Sequence, residues 1–183
     1  MAEIGTERLI MRGWRDSDLA PWAAMNADPE VRRYLGPLLT FEQASAWVLN
    51  YQDDLDRHGY GFWALELRAT GEFVGFTGLG VVDEEMPFTG VELAWRLARP
   101  AWGHGYATEA ARAALGYGFG VLGLPEIVAV TMARNLRSRA VMARIGMTTD
   151  PADDFDDPDV DEGSRRRHVV YRKPRPAAGS EGA

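Results

Sequence analysis

The chain has 183 residues, no cysteine and a formal charge of -7 at neutral pH. That length gives one sizeable core and falls short of two typical domains, and the missing cysteines exclude disulfides, a thiolate metal site and a cysteine nucleophile. The net charge argues against general nucleic-acid binding, which draws most of its affinity from lysine and arginine on phosphates.

Residues 8–12, RLIMR, read as a first strand. Asp16 or Ser17 is suited to cap a short helix through Leu19, Trp22, Ala23 and Met25, which Pro29 interrupts. Thr40 and Glu42 open a second helix carrying Ala44, Trp47, Val48, Tyr51 and Leu55 and ending near Gly59. Tyr34, just before Gly36 and Pro37, falls in the loop between the two. Phe62 to Leu67 and Phe73 to Leu79 alternate and read as an antiparallel hairpin across a turn at residues 69–71.

Glu92 to Ala110, ELAWRLARPAWGHGYATEA, is the most informative stretch. Val91, Leu93, Trp95 and Leu97 alternate with Glu92, Ala94 and Arg96, the period of a two-faced strand that Pro100 stops. From near Gly103, small and apolar residues recur at helical spacing (Ala107, Ala110, Ala111, Ala114, Leu115, Phe119, Leu122), which predicts a helix of about four turns. Gly103 and Gly105 therefore sit at a helix N-terminus, where unpaired N–H groups and the helix dipole favour an anion and the missing Cβ atoms allow close approach.

Three phosphate-loop designs compete for this turn. A Walker-type loop needs a lysine that the turn lacks. A dinucleotide fingerprint needs a third glycine where Thr108 stands, and Glu126 begins rather than ends the next strand. The remaining pattern resembles the pyrophosphate loop Gln/Arg-x-x-Gly-x-Gly/Ala of the GNAT superfamily of acyl-CoA-dependent N-acetyltransferases, with Pro100, Gly103 and Gly105 at its fixed positions. Pro100 departs from that pattern, and the adjacent Arg99 is placed to supply the charge. The wider string of residues 102–110 resembles the ribosomal-protein-alanine acetyltransferase branch. The bland alternative is a glycine-containing helix entry with no ligand.

After the long helix, Ile127 to Met132 reads as a short apolar strand, residues 136–145 as a helix, and His168 to Arg172 as a final strand. The order β-α-α-β-β-β-α-β-α-β-β is mixed α/β, or α+β, and over residues 6–173 it resembles the GNAT fold, a mixed and mostly antiparallel sheet flanked by helices. We expect a single domain over residues 1–173 and a disordered proline- and glycine-rich tail from residue 174 to 183. The opening MAEIGTERL has no basic segment leading into an apolar core, and no apolar run approaches the length of a membrane span. The expectation is a soluble, cytoplasmic protein without membrane contact.

The same resemblance assigns a second motif. Asn135 and Ser138, with Gly146 and Met147 downstream, resemble the GNAT signature in which an asparagine and a serine one helical turn later face the cofactor. Residues three apart share a helix face and converge on one ligand arm. Asn135 equally suits a helix N-cap.

Acetyl transfer from a thioester to an amine needs a neutral amine, stabilisation of the oxyanion and a proton for the departing thiolate. Glu92 is the preferred base and an acceptor-binding residue, acting directly or through water. Arg96 cannot neutralise it directly, since four residues of strand span about 13 Å, but a cross-strand partner stays open. Ser138 is the candidate proton donor, with solvent as the alternative.

By the resemblance, acetyl-CoA is the cosubstrate. The backbone of the Glu92 strand would hold the thioester carbonyl, Leu97 and the residues before it would line the pantetheine arm, and Arg99, Trp102, Gly103, His104, Gly105, Tyr106, Ala107, Thr108, Asn135 and Ser138 complete the expected cofactor contacts. His104 is either a phosphate ligand or simply exposed. In the family the region of Tyr34 borders the acceptor, so Tyr34 is a candidate substrate-binding residue.

No metal is expected, since the three histidines (His58, His104, His168) lack metal spacing. The acidic run 150–162 does not fit a calcium loop either. Counted from Asp157, position six is Glu162 rather than glycine and position twelve is His168 rather than glutamate. It reads as a mobile loop between the last two strands, balanced by Arg165 to Arg167. Charge is uneven: residues 93–147 hold seven arginines against Glu109 and Glu126, a basic segment that suits a polyanionic cofactor inside an acidic chain.

The reading is an acyltransferase, an acetyl-CoA-dependent N-acetyltransferase acting on a primary amine by direct transfer. The branch resemblance suggests a protein N-terminal amine as acceptor. The alternatives are a small-molecule amine (an amino acid, a polyamine or an antibiotic) and a non-catalytic acyl-CoA-binding module. Exposed aromatics allow a homodimer without requiring one.

Overall fold

The alternating segments pair into one nine-stranded sheet in the order β1-β2-β3-β4-β5-β6-β9-β7, with β8 added along β9. These are β1 (Ile4–Gly5), β2 (Leu9–Arg12), β3 (Phe62–Leu67), β4 (Phe73–Val81), β5 (Val91–Leu97), β6 (Glu126–Met132), β7 (Thr148–Thr149), β8 (Phe155–Asp156) and β9 (Arg167–Pro174). The helices are α1 (Asp16–Asn26), α2 (Pro29–Arg32), α3 (Phe41–His58), α4 (Tyr106–Gly120) and α5 (Leu136–Arg144). The computed structural model describes residues 3–82, 86–157 and 167–177. Among them no helix is long and apolar enough to cross a membrane.

Neighbouring strands are antiparallel except β5 and β6, which run parallel. Their ladder has a single registered pair, Glu92 opposite Val128, whereas β4 and β5 pair through all seven positions from Val81–Val91 to Gly75–Leu97. The sheet is therefore zipped on one side of β5 and open on the other beyond Glu92.

Parity along the strands assigns the faces. Phe76 pairs with Arg96 and Leu79 with Leu93. Phe76 meets Trp22 of α1 and Tyr51 of α3, so Glu92, Ala94 and Arg96 share the α1–α3 face. Leu79 comes close to Gly118 of α4, so Leu93 and Leu97 face α4. That helix buries Ala110, Ala111, Ala114, Leu115, Gly118 and Phe119, a stripe of small residues that lets it lie close on β4 and β5.

Local chemistry explains most boundaries. Thr40 caps α3 and exchanges hydrogen bonds with Gln43 (3.2 and 2.9 Å). The start of α1 differs from expectation: Arg15, not Asp16 or Ser17, is the N-cap. Asp18 does the capping chemistry from inside the helix, accepting the Arg15 N–H at 2.9 Å. The same carboxylate takes both terminal nitrogens of buried Arg12 (2.7 and 2.9 Å), while the Arg12 Nε donates to Glu66 at 2.7 Å. This ionic knot ties β2, α1 and β3 together, and removing one member would strand a buried charge at a cost of about 3–5 kcal/mol.

Pro29 does not merely interrupt a helix; it opens α2, capped by Asp28 through the Glu30 N–H at 2.8 Å. Tyr34 thus follows a helix rather than lying in one continuous loop. The expected first strand begins at Leu9, because the Arg8 N–H bonds to the Glu109 carboxylate of α4. The acidic run is ordered where it is described: Asp150 caps a 3-10 turn (Pro151–Asp153) and β8 pairs with β9, while residues 158–162 lie outside the described residues. The final strand continues through Pro174, and the Arg175 N–H bonds to the Pro125 carbonyl at 2.8 Å, so the expected tail is anchored at its start. Residues 178–183 lie outside the described residues.

Candidate active site

The glycine turn leaves the carboxyl end of β5 and becomes the N-terminus of α4. Gly105 is the N-cap with φ +82°, and Gly103 has the same φ. A side chain would be strained at either position. Among the described residues no side chain caps this N-terminus, which leaves the first-turn N–H groups of α4 for an anion. The turn itself is fixed from both sides: the Trp102 indole donates to the Leu97 carbonyl at 2.8 Å, and Arg8 donates to the His104 carbonyl at 2.9 Å.

A carboxylate clamp holds the first turn of α4. Glu109 accepts from the Thr6 hydroxyl at 2.6 Å, the Arg8 N–H at 2.8 Å and the Arg8 Nε at 2.7 Å. Partial burial alone would raise its pKa, but these donors and the Arg8 charge outweigh that and hold it below the usual range. Arg8 also lies over the Tyr106 ring, 4.9 Å from its centroid, and Tyr106 stacks with exposed His104.

The second motif follows the carboxyl end of β6. Asn135 caps α5, accepting the Ser138 N–H at 3.3 Å while its amide donates to Thr131 at 2.9 Å. The two motifs meet: the Arg137 guanidinium lies 4.5 Å from the centre of the Trp102 ring. Ser138 is half-buried on α5. The side chain of Leu97 is buried in the core facing α4, which leaves the backbone of β5 for any contact with a ligand arm.

Glu92 stands where β5 and β6 stop pairing. Burial pushes its carboxyl up to about 7, against the partial relief of a hydrogen bond from the Val130 backbone. It has no ion pair among the described residues, and the open cross-strand alternative finds no cation there. Arg96 instead points among Trp22, Trp47 and Phe76, 5.3–5.5 Å from their ring centres. Arg99, expected beside the phosphates, is paired with Asp28 at 3.4 Å. Of the basic segment, Arg112 and Arg139 are also engaged, donating to the carbonyls of Arg144 and Ala133. Tyr34 is half-buried beneath Arg33.

The GNAT acetyltransferase domain model matches residues 8–148. The chain belongs to the GNAT acetyltransferase family. A Bacillus subtilis relative, YkkB, is 35% identical over 146 residues, covering 79% of this chain and 84% of that one. The FsC-acetyl coenzyme A-N(2)-transacetylase of Aspergillus fumigatus is 37% identical over 134 residues, covering 68% of this chain and 55% of its own length. Among solved structures, an Agrobacterium tumefaciens acetyltransferase superposes with a TM-score of 0.76 at 28% identity, with 94% of each chain covered. A ribosomal L7/L12 acetyltransferase solved with coenzyme A (13% identity, 94% and 98% covered, TM-score 0.75) and a Vibrio cholerae spermidine acetyltransferase solved with CoA and spermine (15% identity, 93% and 97% covered, TM-score 0.72) share the fold. This GNAT chain is an acyltransferase of a family that uses acetyl-CoA.

Sequence reading missed two features of this GNAT chain. The Thr6–Arg8–Glu109 clamp joins residues 101 apart, and no local pattern announces it. The burial of Arg96 against α1 was half visible, since Arg96 shares the parity of Glu92 and Ala94.

Proposed function

We propose that the chain transfers acetyl from acetyl-CoA directly to a primary amine, with both substrates bound at once. Glu92 carries this reading: a half-buried carboxyl with a pKa of about 7, positioned where β5 and β6 separate. Such a group takes a proton near neutral pH and releases it again, as a general base for an ammonium must. In this reading the N–H groups at the start of α4 hold the pyrophosphate, helped by the turn from Trp102 to Thr108, with His104 at its exposed edge. Unpaired backbone of β5 beyond Glu92 receives the acetyl carbonyl. Asn135 and Ser138 border the thiol, and Ser138 or water returns the proton to it.

The string at residues 102–110 resembles a branch that acts on a protein N-terminal amine, and a small-molecule amine is the alternative acceptor. The ribosomal-protein and spermidine acetyltransferases share only the fold with this chain, so the acceptor has to be argued from the residues of the cleft. The test is thiol release from acetyl-CoA with a panel of primary amines, including a peptide with a free N-terminus, for the parent and Glu92→Gln. Turnover that the substitution cuts at least about a hundredfold, with acetyl-CoA affinity intact, supports the reading. Saturable acetyl-CoA binding with no turnover of any amine would make the chain an acyl-CoA-binding module.

A further inference from the structure

Among the described residues Arg96 of β5, on the same face as Glu92, and Arg32 of α2, which shares the Trp47 ring with it, are cations without counter-ions. Arg32 is 4% exposed. Both guanidiniums sit against Trp47, at 5.5 and 5.4 Å from its centroid, and therefore no more than about 11 Å from each other. Among the described residues neither has a carboxylate partner. Arg32 spends two of its nitrogens on the carbonyls of Pro37 and Leu35 (2.9 and 2.7 Å), and Arg96 donates to the Asn26 side chain at 2.6 Å. One buried nitrogen on each remains without a hydrogen-bond partner, Nη1 of Arg32 and Nε of Arg96.

Two like charges, one buried and one half-buried, each with a buried idle donor, are an expensive arrangement for structure alone, because each unpaired donor costs about 1–3 kcal/mol and more when charged. Burial lowers both guanidinium pKa values, and Arg32 adds to the lowering at Arg96. The Tyr51 ring lies near both. A bound anion would satisfy the idle donors and the excess charge together.

The position relative to Glu92 sets the kind of anion. Glu92, Ala94 and Arg96 lie in line on one face of β5, each half-buried, with the small side chain of Ala94 as the floor between two charged ends. The Cα atoms at the ends are about 13 Å apart, which sets the scale of a ligand that touches both side chains.

We infer that Arg32 and Arg96 receive a carboxylate on the acceptor, so that the substrate class is a small amine with a carboxylate at the far end of a short methylene chain. The ammonium lies at Glu92 and the chain crosses Ala94. A polyamine would put a second cation against the two arginines and is disfavoured. The inference rests on Glu92 as the amine-side base.

The experiment compares ω-amino acids of three to eight carbons with the matching ω-amino amides, which differ only in the anion. Calorimetric binding to the CoA-saturated protein and thiol release from acetyl-CoA are both read. The expected result is a preference for the acid of about ten- to a hundredfold at the best length, lost in Arg96→Gln and partly kept in Arg96→Lys, with unchanged acetyl-CoA affinity and a retained unfolding transition. Arg32→Lys, which keeps the charge while loosening the fork, gives an intermediate loss. A binding preference for the acid without turnover keeps the anion site and overturns the direct-transfer reading. Equal binding of acid and amide at every length, or preference for a diamine, overturns the anion site whatever the turnover.

Discussion

Glu92 and Glu109 are the same residue placed on opposite faces of one sheet, Glu92 toward α1 and α3 and Glu109 on α4, and their surroundings give them opposite chemistry. Glu109 receives three donors from the β1–β2 connection and is held below its ordinary value of 4.5. Glu92, near the open seam between β5 and β6, receives one backbone N–H and is pushed up to about 7. A carboxylate saturated with donors is a clamp; one buried with a single donor is a proton acceptor in waiting. In the proposed function the first serves the cofactor loop by fixing α4, and the second serves the reaction.

The hardest blow to that contrast is Glu92→Gln. If Glu92 is the base, kcat/KM for the amine falls about 10²- to 10⁴-fold while acetyl-CoA affinity holds. In the parent, kcat/KM should rise with pH through about 7, following deprotonation of Glu92, and the variant should lack that step. A variant that keeps both rate and pH step would return Glu92 to a structural role.

Next comes the turn that the clamp supports. Gly105→Val places a branched side chain at φ +82°, within 3.5 Å of the Arg8 guanidinium, and closes the approach to the amides of α4. Acetyl-CoA affinity measured by calorimetry should drop at least about tenfold, since one or two charge-assisted hydrogen bonds are worth that much. Unaltered affinity would mean that the pyrophosphate lies elsewhere.

Much of this arrangement was legible in the chain because it is local. The capping pair Thr40 and Gln43, the hairpin of β3 and β4, and the passage from β5 through two glycines into α4 are all written within a few residues of where they act. So were Asn135 and Ser138, whose capping bond spans one turn. What escaped was either too short to show a period or made by distant partners. The two-residue strands β1 and β8 exist only because β2 and β9 offer them an edge. Asp28 takes Arg99, which its place beside Pro100 in the glycine pattern had assigned to phosphate. The burial of Arg96 depends on Asn26, Trp22 and Trp47, and its bond to Asn26 joins residues 70 apart. Charge counted along the sequence could not tell a phosphate ligand from a cation half-buried against three rings.

Glu109→Ala addresses the clamp. It removes the acceptor for Thr6 and for two Arg8 donors at a site of 16% side-chain exposure, and should lower stability by about 2 kcal/mol in urea unfolding. Acetyl-CoA affinity should weaken with it as the turn loosens. A loss of stability with full affinity would show that the clamp holds the sheet edge rather than the cofactor loop.

The smallest effect separates the two glutamates thermodynamically. Between about pH 4.5 and 7 the folded chain keeps a proton on Glu92 that the unfolded chain releases, so this group makes stability fall as pH rises through that window. Glu109 acts in the other direction: its contribution is complete above the unfolded value of 4.5 and is lost as pH falls through its lower folded value. Glu92→Gln should therefore gain on the parent from pH 5 to pH 8, by about 1 kcal/mol once the full shift is discounted for partial exposure, while Glu109→Gln should lose its handicap only in acid. Parallel stability curves for parent and Glu92→Gln across that range would mean that the carboxyl is better solvated than its burial implies, and the base would then have to work from an ordinary pKa.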